Sequence, residues 1–138
     1  MSNPPHEQPS ADGRRLRVLL IDDDELVLRA TARMLRRELD VVTAISSDSA
    51  LALFSDGQEF DVVIADLSLP GLSGVGLLER ARRDWPMACG RLGVLSGREP
   101  TAEERRRLLA LDASVLLLEK PIPKGELLRC LQLAPRAA

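Results

Sequence analysis

The sequence predicts an α/β fold: a doubly wound, five-stranded parallel sheet with helices on both faces and strand order 2-1-3-4-5. Three observations lead there. Short apolar runs alternate with amphipathic stretches along nearly the whole chain. Several of those runs are almost continuous in Val, Leu and Ile, as strands covered on both faces should be. Polar residues capable of chemistry stand at the ends of the runs, beginning with Asp22-Asp23-Asp24 directly behind Val18-Leu19-Leu20-Ile21.

Taken in order, residues 1–14 are polar, contain Pro4, Pro5, Pro9 and Gly13, and are expected to form a disordered lead-in to a domain spanning 15–134. The first strand is expected at 16–21. A helix follows over 25–39, with Leu26, Ala30 and Met34 on one face and Arg29, Arg33, Arg36 and Arg37 on the other. The second strand, 41–45, leads to a helix over 48–55, with Ser47 as its cap and Gly57 as its stop. The third strand is 60–65, and the helix containing 77–85 ends before Pro86. After a fourth strand at 91–95, Thr101-Ala102-Glu103-Glu104 has the spacing of a capping box and opens a helix to about Leu111. The fifth strand is 115–118, the fifth helix 124–133, and a short tail with Pro135-Arg136 closes the chain at 135–138. Of the two common doubly wound orders, five strands favour the flavodoxin-like 2-1-3-4-5. In that order the first and third strands are neighbours, and ligands bind at their carboxyl ends.

Composition removes several functions. At 138 residues, 45% apolar and 29% charged, the chain fits one globular domain. A net charge of -2 gives no bias toward nucleic acid or anionic membrane. The arginine clusters (Arg36-Arg37, Arg82-Arg83, Arg105-Arg106-Arg107) lie beside acidic residues in helical stretches and read as solvated faces. No apolar stretch approaches the ~20 residues needed to span a bilayer, and the N-terminus has no apolar signal core. Cys89 and Cys130 are far apart without a C-x-x-C pattern, so reduced thiols and a cytoplasmic location are expected. His6, the only histidine, sits in the lead-in, which argues against a catalytic imidazole.

The strand ends carry the chemistry. The first ends in Asp22 and Asp23, the third in Asp66, the fourth in Ser96, and the fifth at Glu119-Lys120-Pro121. Adjacent carboxylates at a strand end repel one another and lose hydration, so folding alone does not favour them. A hard divalent cation does, because it prefers oxygen ligands. Acid at a helix N-terminus would account for Asp22 or Asp23 but not for Asp66. In the 2-1-3-4-5 order these residues converge, giving a metal, an anionic nucleophile and fixed donors: the inventory for phosphoryl transfer to a carboxylate. Gly71, Gly74 and Gly76 read as loop and helix-start geometry, and Cys89, Cys130, Met34 and Trp85 as packing residues.

Four segments resemble one family in order, spacing and position: V-L-L-I-D-D-D at 18–24, D-V-V-I-A-D-L-S-L-P-G-L-S-G at 61–74, V-L-S-G at 94–97 and E-K-P at 119–121. From Leu16 to about Leu133 the chain is similar to the receiver domain of two-component response regulators, of the single-domain, chemotaxis-regulator kind. The resemblance implies that Asp66 accepts a phosphoryl group from a histidine kinase or histidine phosphotransfer protein. It implies a Mg²⁺ (or Mn²⁺) site formed by Asp22, Asp23, Asp66 and the backbone carbonyl of Ser68, with Asp23 a direct ligand and Asp22 acting through water. Ser96 matches the switch hydroxyl that moves to a phosphoryl oxygen, Lys120 matches the lysine that pairs with another, and the Lys120–Pro121 bond is expected to be cis. The family usually has Tyr or Phe three residues before the lysine, where this chain has Leu117. Ser68 and Arg98, two residues beyond Asp66 and Ser96, match positions that modulate dephosphorylation.

The implied function is a signalling switch or phosphorelay intermediate that catalyses its own phosphorylation and dephosphorylation rather than an enzyme acting on external substrates. No residues after Leu133 remain for an output module, so action is expected through a downstream protein partner, without direct DNA or membrane binding. Pairing of two copies on phosphorylation is left open, and Met1 with its short tail favours a free-standing protein. The alternatives are a degenerate receiver serving as a phosphorylation-independent scaffold, which Leu117 supports, and an aspartate-dependent phosphatase. The latter typically needs a second aspartate where Ser68 stands. A nucleotide-binding reading fails because Asp22–Asp24 occupy the turn of a Gly-rich phosphate loop.

Overall fold

The computed structural model describes residues 15–133. Residues 1–14 and 134–138, which include the expected lead-in, His6 and the Pro135-Arg136 tail, lie outside the described residues. The strands are β1 (Arg17–Ile21), β2 (Asp40–Ala44), β3 (Phe60–Ala65), β4 (Cys89–Ser96) and β5 (Leu116–Glu119). The helices are α1 (Glu25–Leu35), α2 (Ser47–Ser55), α3 (Gly74–Asp84), α4 (Ala102–Leu111) and α5 (Lys124–Leu133), with a 3-10 turn at Pro86–Ala88. One five-stranded sheet forms in the order β2-β1-β3-β4-β5, with every pairing parallel. Fold class and strand order are those the sequence predicts.

The continuous apolar runs follow from a sheet with two covered faces. In β1, Leu19 and Ile21 point into a core shared with Phe54 of α2, Leu77, Leu78 and Ala81 of α3, and Leu108 of α4. Val18 and Leu20 point the other way, against Leu28, Ala32 and Leu35 of α1 and Leu127 and Leu131 of α5. Alternate residues of one strand therefore feed two cores, and each fully buried Leu or Val stabilises the fold by roughly 1.5–3 kcal/mol. Phe54 stacks on Trp85 and meets Phe60 edge to face at the amino-terminal end of β3, away from the end that carries Asp66.

Four local expectations are corrected. The buried stripe of α1 is Leu28, Ala32 and Leu35, while Leu26 is 78% exposed, Ala30 is exposed and Met34 is half-buried. Glu25 is followed by three apolar residues, Leu26, Val27 and Leu28, so two overlapping sets fit helical spacing equally well. Docking against α5 and the sheet selects one of them. The same helix ends at Leu35 rather than Leu39. The Arg15 guanidinium reaches the carbonyls of Arg36 and Leu39 at 2.9 and 3.3 Å, and the turn drops Leu39 into the core. The cap of α2 is Ser46, not Ser47: Ser46 is extended and exchanges side-chain and backbone bonds with Ser49, while Ser47 is buried with its hydroxyl donating to the Leu72 carbonyl at 2.6 Å. Finally, β4 begins two residues earlier than expected, because Cys89 pairs with Phe60.

Other signals hold. Thr101 and Glu104 form a reciprocal capping box at α4, and Gly57 takes φ 89° just past α2, a conformation that glycine adopts without Cβ strain. Cys89 and Cys130 are free thiols; burial pushes the Cys89 thiol up to about 11, so it packs as a neutral group. No helix among the described residues is long and apolar enough to cross a membrane.

Candidate functional site

Asp22 and Asp66 are held by the backbone before their side chains are considered. Parallel register sets Ile21 beside both Ala44 and Ala65. The next residue along each strand continues the ladder: the Asp22 N–H donates to the Ala44 carbonyl at 3.1 Å, and the Asp66 N–H to the Ile21 carbonyl at 2.9 Å. On the other flank, Ser96 pairs with Glu119, and the Lys120 N–H donates to the Ser96 carbonyl at 2.8 Å. Strand pairing alone thus brings four separated segments to one edge of the sheet.

Three carboxylates meet there. Asp22, Asp23 and Asp66 each offer an oxygen within 4.8 Å of the others, Asp22 buried, Asp66 half-buried and Asp23 exposed. Asp24 leaves the cluster and caps α1 by accepting from the Val27 N–H. Lys120 is the one cation bonded into the cluster among the described residues: its Nζ donates to Asp22 Oδ2 at 2.5 Å and to Asp66 Oδ2 at 3.1 Å. The other oxygen of Asp22 accepts from the Asp24 N–H at 2.9 Å. The other oxygen of Asp66 accepts from the Ser68 N–H at 3.1 Å and the Ser96 hydroxyl at 3.0 Å. Burial works to raise the Asp66 carboxyl, but the Ser68 N–H, the Lys120 ammonium and the Ser96 hydroxyl outweigh it and hold it below its ordinary value. For Lys120, burial works downward and is outweighed by bonds to Asp22 and Asp66, which hold the ammonium above its ordinary value. Asp66 is therefore an ionised, partly accessible carboxylate surrounded by donors.

Three carboxylates against one ammonium leave an excess of negative charge, and every converging ligand atom is an oxygen. That donor set fits a hard divalent cation such as Mg²⁺. The Lys120–Pro121 bond is cis. Ser96 is buried, and its hydroxyl is directed at the Asp66 carboxylate.

Sequence reasoning singled out Arg98 beside this cluster but missed its pairing with Glu104. Arg98 donates from Nε to the Ser68 hydroxyl at 3.0 Å and forks onto both carboxylate oxygens of Glu104 at 2.8 and 3.0 Å. Glu104 simultaneously accepts from the Thr101 N–H at 2.9 Å within the capping box and is held at a pKa of about 2. The Arg98 bond outweighs the modest effect of burial there. The available signal was an arginine six residues before the capping glutamate, but the irregular segment 97–101 that joins them has no spacing rule to announce the contact. Leu117 lines a depression of about 170 Å³ with Val94, Arg98, Glu99, Pro100 and Arg105. A larger concavity of about 720 Å³, lined by Arg17, Gly57, Phe60 and Met87, lies at the opposite, amino-terminal end of the strands and contains none of these groups.

Comparison with known proteins follows the same outline. The sequence profile of the response regulator receiver domain matches residues 18–132. Among curated relatives, the virulence sensor protein BvgS of Bordetella pertussis is 40% identical over 79 residues, covering 54% of this chain and 6% of BvgS. The hydrogenase transcriptional regulatory protein HoxA of Cupriavidus necator is 39% identical over 69 residues, 50% of this chain and 14% of HoxA. The chain thus spans a small share of the length of these relatives. Among solved structures, a signal receiver domain of an HD domain-containing protein from Pseudomonas fluorescens superposes with TM-score 0.77 at 28% identity, over 88% of this chain and 94% of that one. A CheY-like response regulator receiver domain protein from Methanospirillum hungatei gives TM-score 0.75 at 26% identity, over 86% and 92%.

Proposed function

The chain belongs to the response regulator receiver domain family, phosphoacceptor modules of two-component signalling, and from that premise we propose that Asp66 is the residue that takes the phosphoryl group. The observation that supports this is the convergence of Lys120, Ser96 and the Ser68 N–H on its carboxylate beside Asp22 and Asp23. Receiver domains work with histidine kinases or phosphotransfer proteins, and a phosphohistidine is the proposed donor.

An oxygen of the ionised Asp66 attacks phosphorus. The O–P bond forms as the N–P bond breaks, and the electron pair stays on the donor imidazole, which leaves neutral with its proton on the other ring nitrogen. The lowered Asp66 pKa keeps the nucleophile deprotonated near neutral pH. Lys120 supplies a fixed positive charge to the oxygens of the group in flight, and the Ser96 hydroxyl and Ser68 N–H supply further donors. Asp22, Asp23, Asp66 and the Ser68 carbonyl are the proposed ligands for Mg²⁺ or Mn²⁺, which when bound offsets the roughly -1.5 to -2 charge that a phosphoryl group adds. Ser68 stands where an aspartate-dependent phosphatase would place its acid/base, which supports a switch rather than an enzyme turning over external substrates. Signalling is proposed to end in a downstream protein partner, in the cytoplasm and without direct contact to DNA.

Intact mass after incubation with Mg²⁺ and acetyl phosphate tests this. A phosphoryl adduct on the wild type, absent from Asp66→Asn and lost on chelation, is the expected result. No adduct, with the phosphodonor active on another receiver and with a histidine phosphotransfer donor also failing, would instead support the scaffold reading that Leu117 suggests.

A further inference from the structure

We propose that Arg98 is a latch that reads the state of Asp66: it holds Glu104 in the unmodified chain and exchanges that carboxylate for the oxygens of a phosphoryl group, loosening the start of α4. The inference rests on Asp66 being the phosphoacceptor and adds the element that responds to it.

Two other groups that could register the modification are constrained. Ser96 already bonds the Asp66 carboxylate, so its hydroxyl has no long path to travel. Leu117 has no polar atom and no ring to swing beside the depression it lines. Arg98 differs from both. It lies two residues beyond Ser96, just past the end of β4, and its side chain is 43% exposed. It also touches Ser68, whose own N–H is bonded to Asp66. The side chain is therefore tethered one residue away from the site of modification.

Glu104 makes the exchange consequential. Its carboxylate serves two masters: the Arg98 fork and the Thr101 N–H of the capping box. The pair Arg98–Glu104 thus ties the β4–α4 loop to the first turn of α4. A guanidinium fork fits phosphate oxygens as well as carboxylate oxygens. A phosphoryl group brings roughly -1.5 to -2 charge and three acceptor oxygens, against the single charge of Glu104. That difference in charge is the differential interaction a two-state shift requires. Released from Arg98, Glu104 keeps only its capping contacts, and the loop from Gly97 to Pro100 loses its tie to the helix.

The test is amide hydrogen exchange of wild type and Arg98→Ala, with and without acetyl phosphate and Mg²⁺, intact mass being read on the same samples. The amides to follow are Glu104, which donates to the Thr101 hydroxyl, and Arg105, which donates to the Thr101 carbonyl. In the wild type the adduct should accelerate their exchange about 5-fold, the loss of one partly exposed but well-formed ion pair. In Arg98→Ala exchange should already be fast, and the adduct should leave it unchanged. Arg98→Lys, which keeps the charge and loses the fork, should fall between. An adduct on the wild type without faster α4 exchange overturns the latch and leaves the phosphoacceptor reading intact, as does an Arg98→Ala protein that responds like the wild type. Failure of the wild type to form any adduct overturns both, and the mass measurement tells these outcomes apart.

Discussion

Lys120 Nζ lies 3.1 Å from Asp66 Oδ2 and 2.5 Å from Asp22 Oδ2, bridging two carboxylates that belong to different strands. With Asp22 buried and Lys120 mostly so, neither partner is free to trade the other for bulk water. Lys120→Met should therefore leave two adjacent carboxylates without their cation and destabilise the fold by roughly 1–3 kcal/mol at pH 7. It should also slow adduct formation at Asp66 by about 100-fold. Urea unfolding and timed intact mass read the two effects separately, and a variant as stable as the wild type would mean that the bridge contributes no net stability.

The pH dependence follows from two opposite shifts. The Asp66 carboxyl is lowered on folding, so its stabilisation is present above the ordinary carboxylate range and is lost as pH falls through the lower folded value. The Lys120 ammonium is raised, so its contribution is complete below its ordinary value of 10.5 and is lost as pH rises through the higher folded one. Urea midpoints should form a plateau at neutral pH and fall off on both sides. In Asp66→Asn the acid limb should be shallower, and an unchanged acid limb would contradict the assignment.

Gly74 opens α3 directly against the site. A Cβ placed there would sit 2.0 Å from the Asp66 carbonyl oxygen, and backbone cannot swing aside as a flexible side chain can. Gly74→Ala should cost about 1–3 kcal/mol, seen as a lower thermal midpoint, and should reduce adduct formation by displacing Asp66. Retention of both properties would show that α3 can slide on the sheet.

Between α3 and α4, Arg107 grips both oxygens of Glu79 at 3.0 and 2.5 Å on a partly solvated face. Bidentate geometry puts this pair at the upper end of surface ion pairs, so Arg107→Ala should cost about 0.5–1 kcal/mol. High salt should narrow the gap between variant and wild type in parallel thermal melts.

The face of α1 can be checked by two truncations that helical spacing alone treats alike. Leu28→Ala should destabilise by about 2–4 kcal/mol, whereas Leu26→Ala should stay within about 0.5 kcal/mol. Equal urea midpoints for the two variants would refute the packing described for this helix.

Much of this molecule was legible in the linear chain. Apolar runs buried on both faces announce themselves by composition, so five parallel strands could be read from Val, Leu and Ile, and their order followed from there being five strands alternating with helices. The capping box of Thr101 and Glu104 was equally legible, because its partners are three residues apart and the interaction is local. What the sequence left open involves a choice between locally equivalent options or a meeting of distant ones. Leu26 and Leu28 both suit a helix, and only docking against α5 and the sheet sends one to water. Ser46 and Ser47 both suit a cap, and only the nearness of the Leu72 carbonyl takes Ser47 out of contention. Arg98 meets Glu104 and Ser68 because the path of the segment between β4 and α4 brings it to both, which residue spacing does not specify. Sequence alone determined which groups stand at the strand ends, since period and burial are properties of single segments. Tertiary structure decided which of them touch, since a hydrogen bond depends on tenths of an ångström that no pattern of residue types encodes.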